Sequence, residues 1–325
     1  MNNDRLLEVD SLKVVIDGDQ GPRHVLQSVS LQVPRGGRVG IVGESGSGKT
    51  MTARATIGLL PYGGRVVGGQ VRFEGRELTG LSNRDLREVR GAEIGMTFQN
   101  ARACLDPLTT VGAQIAGVYR HHHPEVSRKQ AKRKAVEMLG QLGIPDPGRR
   151  SRSYPHEFSG GMAQRAMIAL ALVCYPKLLI ADEPTTGLDV TVEEQVLTVI
   201  DEMIDELEAS LIFISHDLRI VAEMCDEVVV MYGGTVVERG PTETILGDPV
   251  HPYTKGLVSA AKVTDAERMA TIPGRGPKPA EPHKHCPFAD RCPEVMPECR
   301  ESVPQLRVAT PSHDAACFLV EASHV

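Results

Sequence analysis

Gly43-Glu44-Ser45-Gly46-Ser47-Gly48-Lys49-Thr50 joins a compact apolar run, residues 37–42, to a stretch patterned as a helix, residues 49–60. Strand, glycine-rich loop and helix in that order match G-x-x-x-x-G-K-[ST], a pattern whose physics is that of phosphate binding. Glycines at 43, 46 and 48 let the backbone curl until its N–H groups point inward, with Ser45 and Ser47 inside the same loop. The helix start adds the positive end of a dipole. Lys49 is expected to reach the β- and γ-phosphates of a nucleotide, and Thr50 to ligate Mg²⁺.

A second stretch fits the same architecture. Leu178-Leu179-Ile180-Ala181-Asp182-Glu183 is an apolar strand that ends in two carboxylates. At the C-terminal edge of a buried parallel strand, Asp182 would face the phosphate loop and hold Mg²⁺ through water. Glu183 could take a proton from an attacking water. Alone, such a pair is an ordinary strand end; the loop at 43–50 gives it weight.

The rest of the chain alternates accordingly. Residues 6–10, 13–16 and 24–33 are short runs of Val, Leu and Ile broken by Asp17-Gly18-Asp19 and Gly21-Pro22, so they read as β-structure with turns. Residues 66–73 add a strand closed by Glu74-Gly75. From about 110 to 164 the pattern is helical. Ser127 can cap a helix whose Ala131, Ala135, Met138, Leu139 and Leu142 share a face, with Gly143 ending it. The basic run Arg128, Lys129, Lys132, Arg133 and Lys134 falls mostly on the opposite, solvated side. Residues 178–181 and 211–215 have the length of buried parallel strands. Between them Val192, Val196, Val199, Ile200, Met203 and Leu207 form one helical stripe, so the core is α/β with a parallel sheet. After Lys262, Pro273, Gly274, Gly276, Pro277, Pro279 and Pro282 mark a linker. The segment from Lys284 onward has too few large apolar residues for a core of its own.

Composition narrows the class. A chain of 325 residues with 41% hydrophobic and 24% charged residues has the balance of a soluble globular protein. With no Trp, six Phe and six Tyr, its core must be aliphatic. A formal charge of −6 argues against a nucleic-acid partner. The first ten residues lack the apolar centre of a signal peptide. The longest uncharged apolar stretch, residues 166–176, is far short of the ~18–20 residues a membrane span needs. A cytosolic protein with a peripheral membrane role is expected. Cys104, Cys174 and Cys225 read as small buried hydrophobes. Cys286, Cys292, Cys299 and Cys317 gather near the C-terminus and suggest metal rather than disulfides in a reducing compartment. His121-His122-His123 reads as a surface loop, because contiguous histidines do not face one ion and Pro124 follows.

Phe158-Ser159-Gly160-Gly161-Met162-Ala163-Gln164-Arg165 opens another helix. Ser159 is a capping residue, and Gly160 and Gly161 leave the first turn uncovered, a second anion-binding helix end on one chain.

With these residues on view, the sequence resembles an ABC transporter ATPase subunit. Residues 43–50 match that family's Walker A, 159–164 its signature, and 180–183 lie in its Walker B. Gln99 in Thr97-Phe98-Gln99-Asn100 matches the Q-loop, and Gly187-Leu188-Asp189 the D-loop. His216 in Ile214-Ser215-His216-Asp217 matches the switch histidine. All six stand in the family's order within residues 1–260. The resemblance implies a RecA-like P-loop core with an antiparallel β subdomain and an inserted α-helical subdomain at about residues 100–165. It also implies a nucleotide-binding domain over residues 1–262. Two such subunits would pack head to tail, each ATP lying between one P-loop and the other subunit's signature. Ser159, Gly160 and Gly161 would then meet the partner's γ-phosphate, with Asp189 at the same nucleotide interface. Gln99 would sense Mg²⁺ and the membrane subunits, and His216 would steady the γ-phosphate. One departure concerns the base: Ile16 stands where the family usually places an aromatic ring against adenine. A lost stacking partner forfeits about 1 kcal/mol.

The tail narrows the resemblance. Asp248-Pro249-Val250-His251-Pro252-Tyr253-Thr254-Lys255-Gly256-Leu257, Ile272-Pro273-Gly274, Cys286-Pro287-Phe288 and Arg291-Cys292-Pro293 are similar to the oligopeptide/dipeptide importer branch. Nickel importers share much of this tail. The implied function is the ATPase motor of a dipeptide or oligopeptide importer, on the cytoplasmic face of the cell membrane. Its partners would be two permeases, a substrate-binding protein and a second ATPase subunit, related but distinct, with a homodimer as the alternative. The cysteines, spaced C-x5-C-x6-C-x17-C, suit iron–sulfur clusters or zinc. The branch's association with a [4Fe-4S] cluster favours that group over zinc, on a small Cys-rich extension at residues 263–325. His283, His285 and His313 lie close by in sequence. The rivals are a nickel-importer ATPase, a non-transport ABC ATPase of DNA repair or translation, and a non-catalytic scaffold, the last disfavoured by Glu183 and His216.

Overall fold

Strand-forming runs and their breakers set the first layer. The computed structural model describes residues 4–19, 21–262, 272–274, 276–277 and 281–322. They fall into two compact units, one from residues 1–81 and 213–325, the other from residues 82–212. The first three β runs of the sequence merge into two long strands, Arg5–Gly18 and Gly21–Pro34. They pair antiparallel, with register shifts around Ser11, whose φ of 49° marks the irregularity that splits the sequence pattern. Gly64–Phe73 pairs antiparallel on the other side of Arg5–Gly18. A tight turn at Glu74 and Gly75, both with positive φ, returns the chain into Arg76–Glu77.

Gly21–Pro34 also touches Thr235–Pro241 in parallel fashion, and that strand runs antiparallel to Glu227–Tyr232. Arg38–Val42, the strand that feeds the phosphate loop, lies parallel to Glu227–Tyr232. The sheet of the first unit is therefore mixed, parallel where the loop emerges and antiparallel on the flank. Its interior is aliphatic, with Leu7, Leu12, Val14, Leu26, Val29, Val33 and Ile41 all fully buried. Each large side chain removed from water contributes about 1.5–3 kcal/mol.

The tail does not build a core; it borrows one. His313–Ala315 adds to Thr235–Pro241 as an antiparallel strand, and Arg307–Thr310 pairs with it in turn. Phe288 is buried against Tyr232 and Tyr253, ring centroids 5.2 and 5.4 Å away. The His313 Nε2 lies 2.7 Å from a Glu238 carboxylate oxygen, and both residues are buried. Of the expected linker, residues 263–271, 275 and 278–280 lie outside the described residues.

The second unit holds Ile94–Thr97 parallel to Leu178–Asp182, both wholly buried, and a set of helices. Ser127 caps Arg128–Gln141 through a reciprocal pair with Gln130, and Ala131, Ala135, Met138, Leu139 and Leu142 are all fully buried, the face read from the sequence. Gly143, at φ 67°, lies just beyond. The Val190–Glu206 stripe buries Val196, Ile200 and Met203 but leaves Val192, Val199 and Leu207 half-buried. His121 and His122 end the helix Val111–His122 instead of forming a loop. Cys225 is buried as expected; Cys174 is half-buried and Cys104 exposed. No helix of the described residues is long and apolar enough to cross a membrane.

Candidate nucleotide site

The loop after Arg38–Val42 is shaped by glycine. Gly43 has φ 150°, and a Cβ there would stand 2.2 Å from the Met231 carbonyl oxygen, so no side chain fits. Gly48 has φ 107° and caps the Lys49–Thr56 helix without any side-chain hydrogen bond; a Cβ would meet Leu26 at 2.8 Å. The helix start therefore lacks a cap of its own, the condition for receiving an anion.

Lys49 is only 4% exposed, and its Nζ donates to the carbonyls of Gly43 at 2.7 Å and Glu44 at 3.1 Å. The cation is thus folded over the mouth of its own loop. The Ser47 Oγ is buried with no hydrogen-bond partner among the described residues. An orphaned hydroxyl beside a buried ammonium and uncapped amides suits an oxyanion ligand, so these residues fit a nucleotide triphosphate with Mg²⁺. Ser45 and Gly46 are exposed on the same loop, and Thr50 is half-buried at the first helical turn. Also in the first unit, the Ser215 N–H donates to the Ile41 carbonyl at 3.3 Å, which sets the turn bearing His216 beside the end of the loop's strand. His216 is exposed. Asp217 next to it is held below the usual carboxylate range, chiefly by hydrogen bonding from the Arg219 side chain.

The remaining sequence-derived residues lie in the second unit. Asp182 is fully buried at the end of Leu178–Asp182. Glu183 follows at φ 47°, a left-handed conformation costly for a carboxylate residue and typical of functional turns. One Glu183 oxygen accepts from Gln99 Nε2 at 2.7 Å and from Thr186 Oγ1 at 3.0 Å. The structure therefore brings Gln99 and Glu183 together, a contact between side chains 84 residues apart that sequence reading did not supply. Ser159 caps Gly160–Leu172, its Oγ accepting from Met162 N–H at 3.2 Å, and Ser159 and Gly160 are exposed. Gly161 is packed so closely that a Cβ would stand 2.4 Å from Val192. Asp189 is exposed and caps Val190–Glu206.

Sequence reading missed two residues that grip the loop. Glu44 N–H donates to the Tyr253 hydroxyl at 2.8 Å, and the Glu44 carboxylate is held by Arg291. The only available signal was an acidic residue inside a loop built for anions. Ile16 sits half-buried near the end of Arg5–Gly18, paired with Arg23 and Gly64.

The four tail cysteines converge without forming a ligand set. Cys286 N–H donates to the Cys299 carbonyl at 3.0 Å, and Cys286 and Cys299 are buried. Burial pushes the Cys286 and Cys317 thiols up to about 11, and the neighbouring cysteines add to the rise. Among the described residues no three His, Cys, Asp or Glu side chains are arranged to hold a metal ion. The nearby histidines face elsewhere. His283 Nε2 lies 2.6 Å from the Gly233 carbonyl oxygen, and His285 Nδ1 lies 3.1 Å from the Cys286 carbonyl oxygen.

Comparison with known proteins completes the picture. Residues 26–186 match the family described as ABC transporter, and residues 237–299 match the oligopeptide/dipeptide transporter C-terminal region. The chain is 46% identical to a probable peptide ABC transporter ATP-binding protein, y4tR, of Sinorhizobium fredii, over 97% of this chain and 95% of that one. It is 44% identical to the oligopeptide transport ATP-binding protein OppD of Escherichia coli, over 97% of this chain and 93% of that one. The fold is shared with a dimeric ATP-binding cassette, MJ0796, bound to ADP and Pi. The TM-score is 0.66 at 23% identity, covering 73% of this chain and 98% of that one. With nearly full-length likeness at this level, the chain belongs to the ATP-binding subunits of ABC transporters, in the group that carries the oligopeptide/dipeptide C-terminal region.

Proposed function

We propose that this chain is the ATP-hydrolysing motor of an importer for dipeptides or oligopeptides. The observation that carries the reading is the uncapped, glycine-shaped loop with Lys49 buried at its mouth, in a chain whose relatives are named for peptide transport. Residues 43–50 bind the phosphates, with Gly43, Ser45, Gly46, Ser47 and Gly48 offering backbone N–H groups and Lys49 the charge. Thr50, Asp182 and Gln99 are the residues that would hold Mg²⁺, which when bound neutralises phosphate charge. Glu183, oriented by Gln99 and Thr186, accepts a proton from water as general base. His216 steadies the γ-phosphate. Ser159, Gly160 and Gly161, with Asp189, complete the nucleotide site of a second ATPase subunit, a heterodimer being favoured.

The chain works with two permeases and a substrate-binding protein at the cytoplasmic face of the cell membrane. For the tail, the proposed cofactor is a [4Fe-4S] cluster on Cys286, Cys292, Cys299 and Cys317, with zinc as the alternative. The convergence of four soft ligands supports it. Against it stands the absence of ligand geometry among the described side chains, so no step of the ATP cycle is assigned to it. Visible absorbance and iron content, lost on replacing Cys286 or Cys299 by Ser, would establish the cluster; stoichiometric zinc without colour would replace it.

Purification of the intact assembly, with ATP-dependent uptake of labelled dipeptides and oligopeptides measured against nickel, tests the whole reading. Uptake of nickel alone would move the chain to the nickel branch. Retention on DNA or ribosomes, with no permease co-purifying, would refute a transport role.

A further inference from the structure

Glu44 is the only acidic side chain in a loop that must accept a highly charged anion. Left to itself, that carboxylate would repel phosphate. The structure does not leave it to itself. Arg291, 247 residues away, meets it with a two-pronged ion pair, Nη1 to Oε2 at 2.8 Å and Nη2 to Oε1 at 2.9 Å. The Arg291 side chain is 6% exposed. Its guanidinium is fixed from further directions: Nε donates to the Pro273 carbonyl at 2.8 Å, Nη2 to the Ile272 carbonyl at 2.9 Å, and Nη1 to the Tyr232 hydroxyl at 3.2 Å. Tyr232 and Phe288 flank it, their centroids 5.7 and 5.9 Å from the guanidinium carbon.

Every polar group of Glu44 is thereby engaged. Its N–H goes to Tyr253, its carbonyl accepts from Lys49, and its carboxylate is taken by Arg291. Two of the three holders come from the C-terminal part of the chain. A planar fork with five donors matches this task, since it satisfies a carboxylate and two carbonyls at once where a lysine would reach one or two. Such a network, with its arginine buried and fixed from several directions and its carboxylate 31% exposed, differs from the exposed ion pairs elsewhere on the molecule, which contribute little.

We propose that Arg291 is a positioning residue for nucleotide binding: it neutralises and ties down the Glu44 carboxylate, so that the C-terminal segment sets the affinity of the phosphate loop for Mg-ATP. The inference rests on reading residues 43–50 as the nucleotide site. It makes the tail a working part of the ATP site, and it gives a physical reason for Arg291 to stand beside Cys292. The segment that carries the cysteines is the segment that grips the loop.

The test is equilibrium binding of a fluorescent ATP analogue with Mg²⁺ to the full chain, in four variants. Arg291→Met is expected to weaken binding about tenfold, because an uncompensated carboxylate now borders the site. Glu44→Gln, whatever its own affinity, supplies the reference for the double variant. The double variant should return to within threefold of Glu44→Gln, since no charge remains to neutralise. The Arg291→Met defect should also shrink as salt is raised. A merely structural Arg291 would show neither rescue nor salt dependence. Binding by Arg291→Met within twofold of wild type overturns the proposal, as does a double variant no better than Arg291→Met. If Arg291→Met does not fold, Arg291→Lys enters the same cycle, with a three- to fivefold defect expected and the same rescue required. Lys49→Ala separates the two levels. Loss of binding there, with no effect at Arg291, sinks this inference alone; unchanged binding there sinks the site assignment itself.

Discussion

Two helices of this chain begin at glycine-containing turns, and they differ in how their first N–H groups are satisfied. Lys49–Thr56 starts at Gly48 with no side-chain cap, a buried lysine, an orphaned Ser47 hydroxyl and props from Tyr253 and Arg291 behind it. Gly160–Leu172 starts at Ser159, which caps Met162 N–H itself and lies exposed with Gly160. No lysine or arginine stands in that first turn, and Arg165, one turn on, is engaged with the carbonyls of Leu142 and Gly143 and with Gln195. On the proposed reading, the first start is a binding site that its own chain has furnished. The second has satisfied itself and brings no charge, so it can finish a site only where another loop has begun one. On the function proposed above, the difference is what a subunit that pairs with a second would need.

The sharpest way to break the contrast is to remove the charge from the furnished end. Lys49→Ala is expected to weaken Mg-ATP binding by at least about 100-fold, equivalent to about 2.7 kcal/mol. Titration of the full chain with a fluorescent ATP analogue measures it. A loss below threefold would sink the assignment of residues 43–50 as the nucleotide site. Glu183→Gln acts on chemistry and not on binding. It keeps the hydrogen-bonding shape toward Gln99 and Thr186 but removes the basic oxygen. Phosphate release should fall by a factor on the order of 10²–10⁴, the range for a lost general base, with nucleotide affinity within threefold. The variant should accumulate an ATP-bound closed dimer, visible by size exclusion; normal phosphate release would refute the general-base role.

The outward-facing end is probed by Gly160→Asp. A Cβ at Gly160 makes only ordinary contact, 3.4 Å from Leu188 Cδ2, so the fold should tolerate it. A carboxylate placed there opposes an anion brought by a neighbour. The variant chain should bind ATP within twofold of wild type, while hydrolysis at the site it completes in the assembled pair falls by about tenfold or more. Unchanged hydrolysis in the pair would remove the distinction drawn between the two helix starts.

How far these features were legible depends on their range along the chain. The loop at 43–50 is a local device: its shape is set by its own glycines and its neighbours in sequence, and both were readable. So were the cap at Ser127, the buried stripe from Ala131 to Leu142, and the strand that ends at Asp182. The merging of residues 6–10 and 13–16 into one strand was not readable, because Ser11 in a left-handed conformation keeps the chain in the sheet across what looks like a break. Still less legible was the tail. Its apolar content is too low for a core, which is true, but Phe288 and Ala315 complete a core made by Tyr232, Tyr253 and the Thr235–Pro241 strand. Pairing across such distances leaves no periodic trace. Glu44 with Arg291 and Gln99 with Glu183 are of the same kind, visible only when the chain is folded.

Acid should distinguish the two helix starts more gently. The Ser159 turn has no titrating side chain within residues 158–162. The furnished loop is propped by Tyr253, and the Tyr253 N–H donates to His251 Nδ1 at 3.0 Å, which requires a neutral ring. His251 is buried, and its backbone N–H donates to Glu238 at 3.0 Å. Burial, with a smaller push from the Lys255 charge, lowers its pKa to about 3. The unfolded ring would take a proton near its ordinary 6.5. Stability from this residue is therefore complete above pH 6.5 and drains as pH falls toward 3, by at most about 1.4 kcal/mol per pH unit. Between pH 6.5 and 5 the loss should be on the order of 1–2 kcal/mol. His251→Asn offers an acceptor at the same turn but does not titrate, so its urea midpoint should fall less steeply over that interval. Parallel slopes for the two chains would show that some other group carries the acid sensitivity, and that the prop behind the phosphate loop is indifferent to pH.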